Sequence, residues 1–452
     1  EYTTDIPMPF DKVDTGDQNG ENVDVIISDD ALDPLHPEFA VNRDGTGGSR
    51  ATNWGGTPSE TNNHGCHVAG TVAGNRQGWA TKANIYRIAA GDHFNNIRTW
   101  HNNKTNGNPT VVNCSWLWAG PALSFPIDEV YYRGTTYTNV NNEDARNMEV
   151  PTSYYSGPNK YGTGPSWGYW QMQMPVIAVE ADMQDAMDDG VIIVCAADNF
   201  NNRMTNDPQD PDYNNYINDT RMEWSSFIPH PGHHPYYYAR GSTPNATPGV
   251  ICVGAAMNFP RRQMELEWAT EPYRYGIMLE TSTDVYNNYG HRLLLQDEGP
   301  NTDIKEQFSS KGPRVDIFAP GTYIQSSTHT NSTYGITDNR SHNSSLDLSQ
   351  DVKSGTSMAS PQVAGVVACL VGIYRDFKQE DVRSWLISQG SKNDQLYDNE
   401  THYGIDYNAH PELSWSAQEG LGYWGDDKYA LGGAPNRYLY FNRVRKGTGQ
   451  VW

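Results

Sequence analysis

Five short segments of the chain are continuously apolar, which is the pattern of buried strands that are covered on both faces. They lie at residues 23–29, 83–90, 110–116, 190–197 and 249–256. Two segments between or after these runs, 176–190 and 378–390, have the periodicity of amphipathic helices and end at Gly190 and Gly390. This alternation predicts an α/β fold with three layers and a central, mostly parallel sheet.

The remaining segments have a different composition and predict long loop insertions in one large domain over residues 1–390. Tyr, Gly, Pro and Asn are frequent at about 119–175, 200–248 and 258–303. Loops of this length are usually functional. Residues 391–452 are rich in Gly and aromatic residues. We expect them to form a C-terminal extension that either packs on the domain or docks a partner.

Charge and cysteine usage exclude several classes of protein. The chain has 452 residues, with 32 basic and 54 acidic side chains and a net charge of −22, which argues against nucleic-acid binding. No apolar run long enough for a membrane span is evident, so none is predicted. Four of the five cysteines sit in apolar runs, which indicates reduced core thiols and neither a disulfide framework nor a metal site.

Three residues carry the candidate chemistry. Asp29 follows the first predicted strand, His64 begins a predicted helix in "HGCHVAGTVAG", and Ser357 begins another in "SGTSMASPQVAG". An acid, a base and a hydroxyl are the parts of nucleophilic acyl transfer, and the chain order Asp, His, Ser is a known order for a catalytic triad. Singly, each has a structural interpretation; a serine at a helix start is usually an N-cap.

The two quoted motifs closely resemble the His and Ser motifs of subtilisin-like serine proteases, and "VIISDDALDPLHPEF" resembles their Asp motif. The resemblance implies a subtilisin-like fold and a triad of Asp29, His64 and Ser357. The segment "VIIVCAADN" implies that Asn199 is the oxyanion-hole donor. The segment "VVNCSWLW" implies a substrate-binding edge strand, made of Ser115, Trp116, Leu117 and Trp118.

Several residues depart from the family pattern. Asp30 and Ala31 stand where the family usually has a small hydroxyl residue and glycine, and Cys66 stands where threonine is usual. We expect the thiol of Cys66 to make the enzyme sensitive to mercurials. Asp198 replaces the glycine before the oxyanion asparagine. We expect its carboxylate either to face away from the site, into solvent or toward a cation, or to oppose the developing negative charge.

The sequence therefore predicts a serine endopeptidase that cleaves a protein or peptide substrate through an acyl-enzyme and needs no cofactor. The site holds no predicted metal, although the acidic segment 206–215 could bind a structural calcium ion. A removed N-terminal pro-segment and a secreted location are expected. The alternative is a structural or assembly protein of a virus particle or surface layer that retains the protease domain and binds partners through its insertions and tail.

Overall fold

The computed structural model describes residues 19–30, 32–55, 63–123, 126–150, 170–219, 236–257, 303–306, 308–322, 324–328, 349–397 and 431–440. Its strands are β1 Asp24–Ser28, β2 Ala51–Gly55, β3 Asn84–Ile88, β4 Thr110–Cys114, β5 Ala119–Leu123, β6 Ile127–Tyr132, β7 Thr135–Val140, β8 Trp170–Gln173, β9 Val191–Ala196, β10 Tyr216–Asn218, β11 Tyr236–Tyr237, β12 Ile251–Met257, β13 Asp303–Lys305, β14 Ile317–Pro320, β15 Ile324–Ser327, β16 Gln350–Lys353, β17 Ser391–Asn393, β18 Leu396–Tyr397 and β19 Arg437–Leu439. Its α-helices are α1 His64–Ala73, α2 Phe94–Asn103, α3 Asn142–Asn147, α4 Ile177–Asp188, α5 Thr356–Ile373 and α6 Gln379–Ser388, with a 3₁₀ turn at Pro37–Phe39.

The predicted central sheet is present and mostly parallel. Its main path runs β17-β19-β14-β12-β9-β4-β1-β3-β2, and β13 and β18 join beside β12. The pairs from β2 to β19 along this path are parallel, and only β17 runs antiparallel at its end. Because neighbouring parallel strands end at the same edge, the residues that follow β1, β4 and β9 converge there.

Helices cover both faces of this sheet and give the three predicted layers. Side chains of β1 alternate between the faces: Val25 and Ile27 join a core with α1, α5 and α6, whereas Ile26 joins a second core with α2 and α4. The strand and helix predictions hold to within a few residues at each boundary. The reason is that burial on both faces leaves an unmistakable apolar run in the sequence.

The first two insertions meet in a separate small sheet. Strands β6 and β7 from the first insertion and β10 and β11 from the second pair in the order β11-β10-β6-β7. This sheet has its own buried cluster, which includes Ile127, Val130, Ile217 and Tyr238. The third insertion, 258–303, lies outside the described residues except for its last residue, which begins β13.

The described part of the C-terminal extension belongs to the central sheet. Strand β19 pairs in parallel with β14 and antiparallel with β17, while β18 pairs with β13. Tyr438 and Leu439 of β19 are buried against the core.

One helix of the described residues, α5, is long and apolar enough to cross a membrane by length and composition, with a mean hydropathy of 1.5. Most of it, 83% of the 18-residue window, is buried inside the protein. It packs against α1, β4, β9 and β12, which is the environment of a central core helix.

Candidate active site

The structure brings Asp29 and His64 into direct contact. Asp29 follows β1, and its backbone N–H donates to the carbonyl of Ile88 at 2.9 Å. His64 is the first residue of α1, and its Nδ1 lies 2.9 and 3.0 Å from the two carboxylate oxygens of Asp29. The Asp29 side chain is 5% exposed and that of His64 is 31% exposed. The carboxylate is therefore enclosed while the imidazole still reaches the surface.

The charges around His64 favour its protonated form. Burial alone lowers the pKa of the imidazole, but the negative charge and hydrogen bond of Asp29 and the charge of Asp30 outweigh it. Lys353 opposes them. The net result is a pKa of His64 that is raised above its ordinary value. A histidine held this way is neutral, and able to accept a proton, only at correspondingly higher pH.

A buried arginine fixes the backbone that carries the two acidic residues. Nε of Arg87 donates to the carbonyl of Asp29 at 3.0 Å, and a second guanidinium nitrogen donates to the carbonyl of Asp30. Arg87 is 2% exposed. Arg87 was not among the predicted site residues, although its charge inside the apolar run "ANIYRIAA" is a signal that marks it.

Ser357 is the second residue of α5, and it exchanges hydrogen bonds with Ser115. Its Oγ donates to the carbonyl of Ser115 at 3.1 Å, and Oγ of Ser115 donates to the carbonyl of Ser357 at 2.9 Å. Pro361 has no N–H to give that carbonyl, which a helix would otherwise satisfy from this position. The Ser115 hydroxyl, which directly follows β4, replaces the missing donor. This hydrogen bond lets α5 accommodate the proline.

A buried chain of polar side chains supports this pair. Nδ2 of Asn113 donates to Oγ of Ser115 at 2.9 Å, and Oγ of Ser360 donates to Oδ1 of Asn113 at 2.6 Å. All three side chains are nearly or fully enclosed. The network links β4 to the first turns of α5 and fixes where Ser357 starts.

Asn199 lies beside the start of α5. Its Oδ1 accepts hydrogen bonds from the backbone N–H and the hydroxyl of Thr356, at 2.8 and 2.9 Å. With the oxygen held in this way, the Nδ2 amide of Asn199 is the group left to donate to a ligand. The N–H of Ser357 lies in the first helical turn, where amides precede the intrahelical bonds.

Asp198 does not face solvent, which was one expectation from the sequence. It is 2% exposed, and its Oδ1 accepts the backbone N–H of Asn199 at 2.6 Å. Its φ of 91° lies in the region that favours glycine, which is the residue usual there in the resembled family. The buried carboxylate thus binds the backbone N–H of Asn199 and helps to fix the position of that residue.

The four residues of the predicted substrate strand lie just beyond the end of β4. Ser115 is engaged with Ser357, and Nε1 of Trp116 donates to the hydroxyl of Ser28 at 3.0 Å. Leu117 is half-buried. The backbone N–H of Trp118 already donates to the carbonyl of Thr243, from the second insertion, at 2.9 Å. That amide is therefore occupied by the protein's own chain.

Cys66 and the acidic segment 206–215 make contacts of a structural kind. Cys66 is fully buried in α1, and burial raises the pKa of its thiol to about 12, so the structure argues against the expected reaction with mercurials. In the acidic segment, Asp210 and Asp212 form ion pairs with Arg203, and Asp212 also pairs with Arg133. Both carboxylates are therefore engaged in ion pairs with arginines.

The chain is similar to a known protein family, to two plant proteins and to a solved structure. The sequence model of the subtilase family matches residues 20–404. Two Arabidopsis thaliana proteins, the subtilisin-like proteases SBT3.8 and SBT3.7, are 35% and 33% identical over 95 residues, which is 19% of this chain and 11% of each relative. The chain thus aligns with only a small part of their length. A solved cold-adapted subtilisin-like serine proteinase aligns with 95% of this chain and 91% of its own, at 16% identity and a TM-score of 0.47.

The family match covers most of the chain and includes all the segments that supply Asp29, His64, Asn199 and Ser357. The chain belongs to the subtilase family.

Proposed function

We propose that the protein is a serine endopeptidase in which Ser357 is the nucleophile, His64 the general base and acid, and Asp29 the residue that orients His64. Asn199 and the backbone N–H of Ser357 stabilise the oxyanion. Ser115 to Trp118 line the substrate-binding site. The observation that carries the proposal is the 2.9 Å contact between Nδ1 of His64 and the enclosed Asp29 carboxylate, which joins the predicted His and Asp motifs.

The proposed roles imply a definite sequence of steps. Ser357 Oγ leaves the carbonyl of Ser115 and attacks the peptide carbonyl carbon while its proton passes to Nε2 of His64. Asp29 holds the other ring nitrogen and stabilises the imidazolium. The imidazolium then protonates the leaving amine. A water molecule, deprotonated by the same imidazole, hydrolyses the ester and regenerates Ser357.

Substitution of the nucleophile tests this directly. Ser357→Ala should abolish covalent labelling by a fluorophosphonate probe and lower kcat for peptide hydrolysis on the order of 10⁶-fold. Ser388→Ala is a suitable control, because that hydroxyl lies in α6 and bonds only within its own helix turn as far as the structure describes, to the carbonyl of Ser384 at 2.8 Å. Labelling of the Ser357→Ala protein at the parent level would overturn the assignment.

We also propose that the substrate is a protein or peptide and that the enzyme works outside the cell, where a net charge of −22 favours solubility. None of the relatives described above is a structural or assembly protein, so that alternative gains no support. Fractionation of the native source with the same probe separates the two, since a particle component would be labelled only in the particle fraction.

A further inference from the structure

Asp30 places a second carboxylate beside the candidate base. Its Oδ1 accepts the backbone N–H of Gly65 at 2.8 Å. Oxygen atoms of Asp29 and Asp30 and a ring nitrogen of His64 all lie within 4.8 Å of one another. The residue usual here in the family, a small hydroxyl, carries no charge. This chain therefore differs from that pattern in the charge that faces its histidine.

We propose that Asp30 is a positioning residue with two roles: it fixes the start of α1 against the Asp29 loop, and it supplies a second negative charge that sets the pH at which His64 becomes a base. The inference rests on the proposed function, in which His64 must be neutral to accept the proton of Ser357.

The first role follows from the end of the helix. The first amides of a helix have no intrahelical partner, and the helix dipole favours negative charge there. Asn63, the N-cap residue, makes no capping hydrogen bond with its side chain. Asp30 takes this role from the end of β1, while Arg87 holds the Asp30 carbonyl from β3. The loop and the helix that carry the acid and the base are thus tied together.

The second role follows from the charges that face His64 from each neighbouring element. Asp29 and Asp30 approach from the end of β1, and Lys353 approaches from β16, where it pairs with Asp351 at 2.7 Å. Burial opposes protonation of the imidazole, yet the two carboxylates prevail and raise the pKa of His64. Loss of the Asp30 charge should lower that pKa and keep the imidazole neutral to lower pH.

Substitution by asparagine separates the two roles. Asp30→Asn keeps an oxygen that can accept the Gly65 N–H but removes the charge, whereas Asp30→Ala removes both. The ionisation of His64 is measured by NMR titration of labelled imidazoles in the Ser357→Ala background, with His64→Gln used to assign its signal among the 13 histidines. The His64 pKa should fall in the Asp30→Asn protein. It should rise in Lys353→Gln, which removes the opposing charge.

Kinetics provide the second measurement. In the Ser357 parent, Asp30→Asn should move the acidic limb of the kcat/KM profile to lower pH and lower the plateau of kcat, because the imidazolium formed in the transition state loses one partner. Asp30→Ala should show the same shift together with a lower Tm than Asp30→Asn, because the cap is also lost.

The two proposals fail separately. A His64 pKa that is the same in the Asp30→Asn and unsubstituted backgrounds overturns the electrostatic role of Asp30, whatever the activity. Equal Tm values for Asp30→Ala and Asp30→Asn overturn its capping role. A lowered His64 pKa in a protein whose parent neither hydrolyses peptides nor binds the probe leaves the role of Asp30 standing and overturns the endopeptidase.

Discussion

At the scale of single residues, Ser115 has a role that its position in the sequence does not reveal. The motif "VVNCSWLW" predicted that Ser115 binds substrate. In the structure Ser115 also forms two hydrogen bonds with Ser357, one as donor and one as acceptor. Its hydroxyl satisfies the carbonyl that Pro361 leaves without a helical donor. The same side chain therefore serves the stability of α5 and the position of Ser357, the proposed nucleophile.

Ser115→Ala should affect stability and turnover together. Loss of the hydroxyl leaves a buried carbonyl without its donor, at a cost of about 1–3 kcal/mol in the free energy of unfolding. We expect kcat to fall by more than KM changes, because Ser357 loses the group that fixes its backbone. Denaturant unfolding and steady-state kinetics measure the two effects.

Ser360→Ala is the matched control for this prediction. Its hydroxyl belongs to the same buried network, through Asn113, and contacts neither Ser357 nor the carbonyl left by Pro361 in the bonds described. It should reduce stability by a similar amount with a smaller loss of kcat. Equal losses of kcat in the two variants would contradict a specific role of the Ser115 hydroxyl in positioning Ser357.

At the scale of elements, the two helices that carry His64 and Ser357 are placed by a close contact. Helices α1 and α5 pack together over the same face of the sheet. At Gly365, in the middle of α5, an added Cβ would lie 2.8 Å from Cβ of Trp79 and 2.9 Å from the carbonyl oxygen of Val72. The second of these is backbone of α1, which cannot move without moving the helix.

Gly365→Ala should therefore push the two helices apart. Overpacking of this kind costs about 1–3 kcal/mol, which exceeds the gain of about 0.5–1 kcal/mol that alanine brings to a helix. We expect a lower Tm and a lower kcat, since His64 and Ser357 ride on the separated helices. Thermal unfolding and kinetics provide the check.

Gly372 in the same helix offers the control. An added Cβ there would lie 3.5 Å from Cγ2 of Val23 and 3.6 Å from the carbonyl oxygen of Glu21, which is ordinary contact. Gly372→Ala should leave Tm unchanged or raised and kcat unchanged. If both alanine variants behave alike, close approach at Gly365 does not set the spacing of α1 and α5.

The central elements were predictable because their sequence carries the mark of burial on both faces, as in Val191–Ala196. The candidate site was predictable where a motif is continuous, as around His64 and Ser357. What could not be predicted depends on contacts between distant segments. The side chain of Arg87 donates to the carbonyls of Asp29 and Asp30, and that of Asp198 accepts the N–H of Asn199. Each bond depends on the position of the backbone, which the sequence does not specify.

At the scale of the whole molecule, the insertions and the C-terminal extension form structure with other parts of the chain. Strands of the first two insertions pair with each other, and Thr243 of the second reaches the backbone of Trp118 beside the site. Strand β19 extends the central sheet. The sequence did not predict these pairings because strands that are mostly exposed, such as β7, carry little apolar signal.

The reactivity of the five cysteines can show whether the protein unfolds as one cooperative unit. All five are free and fully buried. Cys66 and Cys369 lie in the core on the α1 and α5 side of the sheet. Cys114, Cys195 and Cys252 occupy adjacent register positions on β4, β9 and β12 and lie in the core on the opposite side. Exposure of every thiol therefore requires both layers of helices to separate from the sheet.

We expect the native protein to show no reaction with an aromatic disulfide reagent and all five thiols to react in denaturant. The attacking species is the thiolate, and burial raises the pKa of Cys66 to about 12, so both access and ionisation protect it. In moderate denaturant the thiols of both cores should react at one common rate, that of global unfolding, with sites identified by mass spectrometry. Fast and selective labelling of Cys66 in native protein, with loss of activity, would show instead that α1 opens locally and would restore the mercurial sensitivity inferred from the sequence.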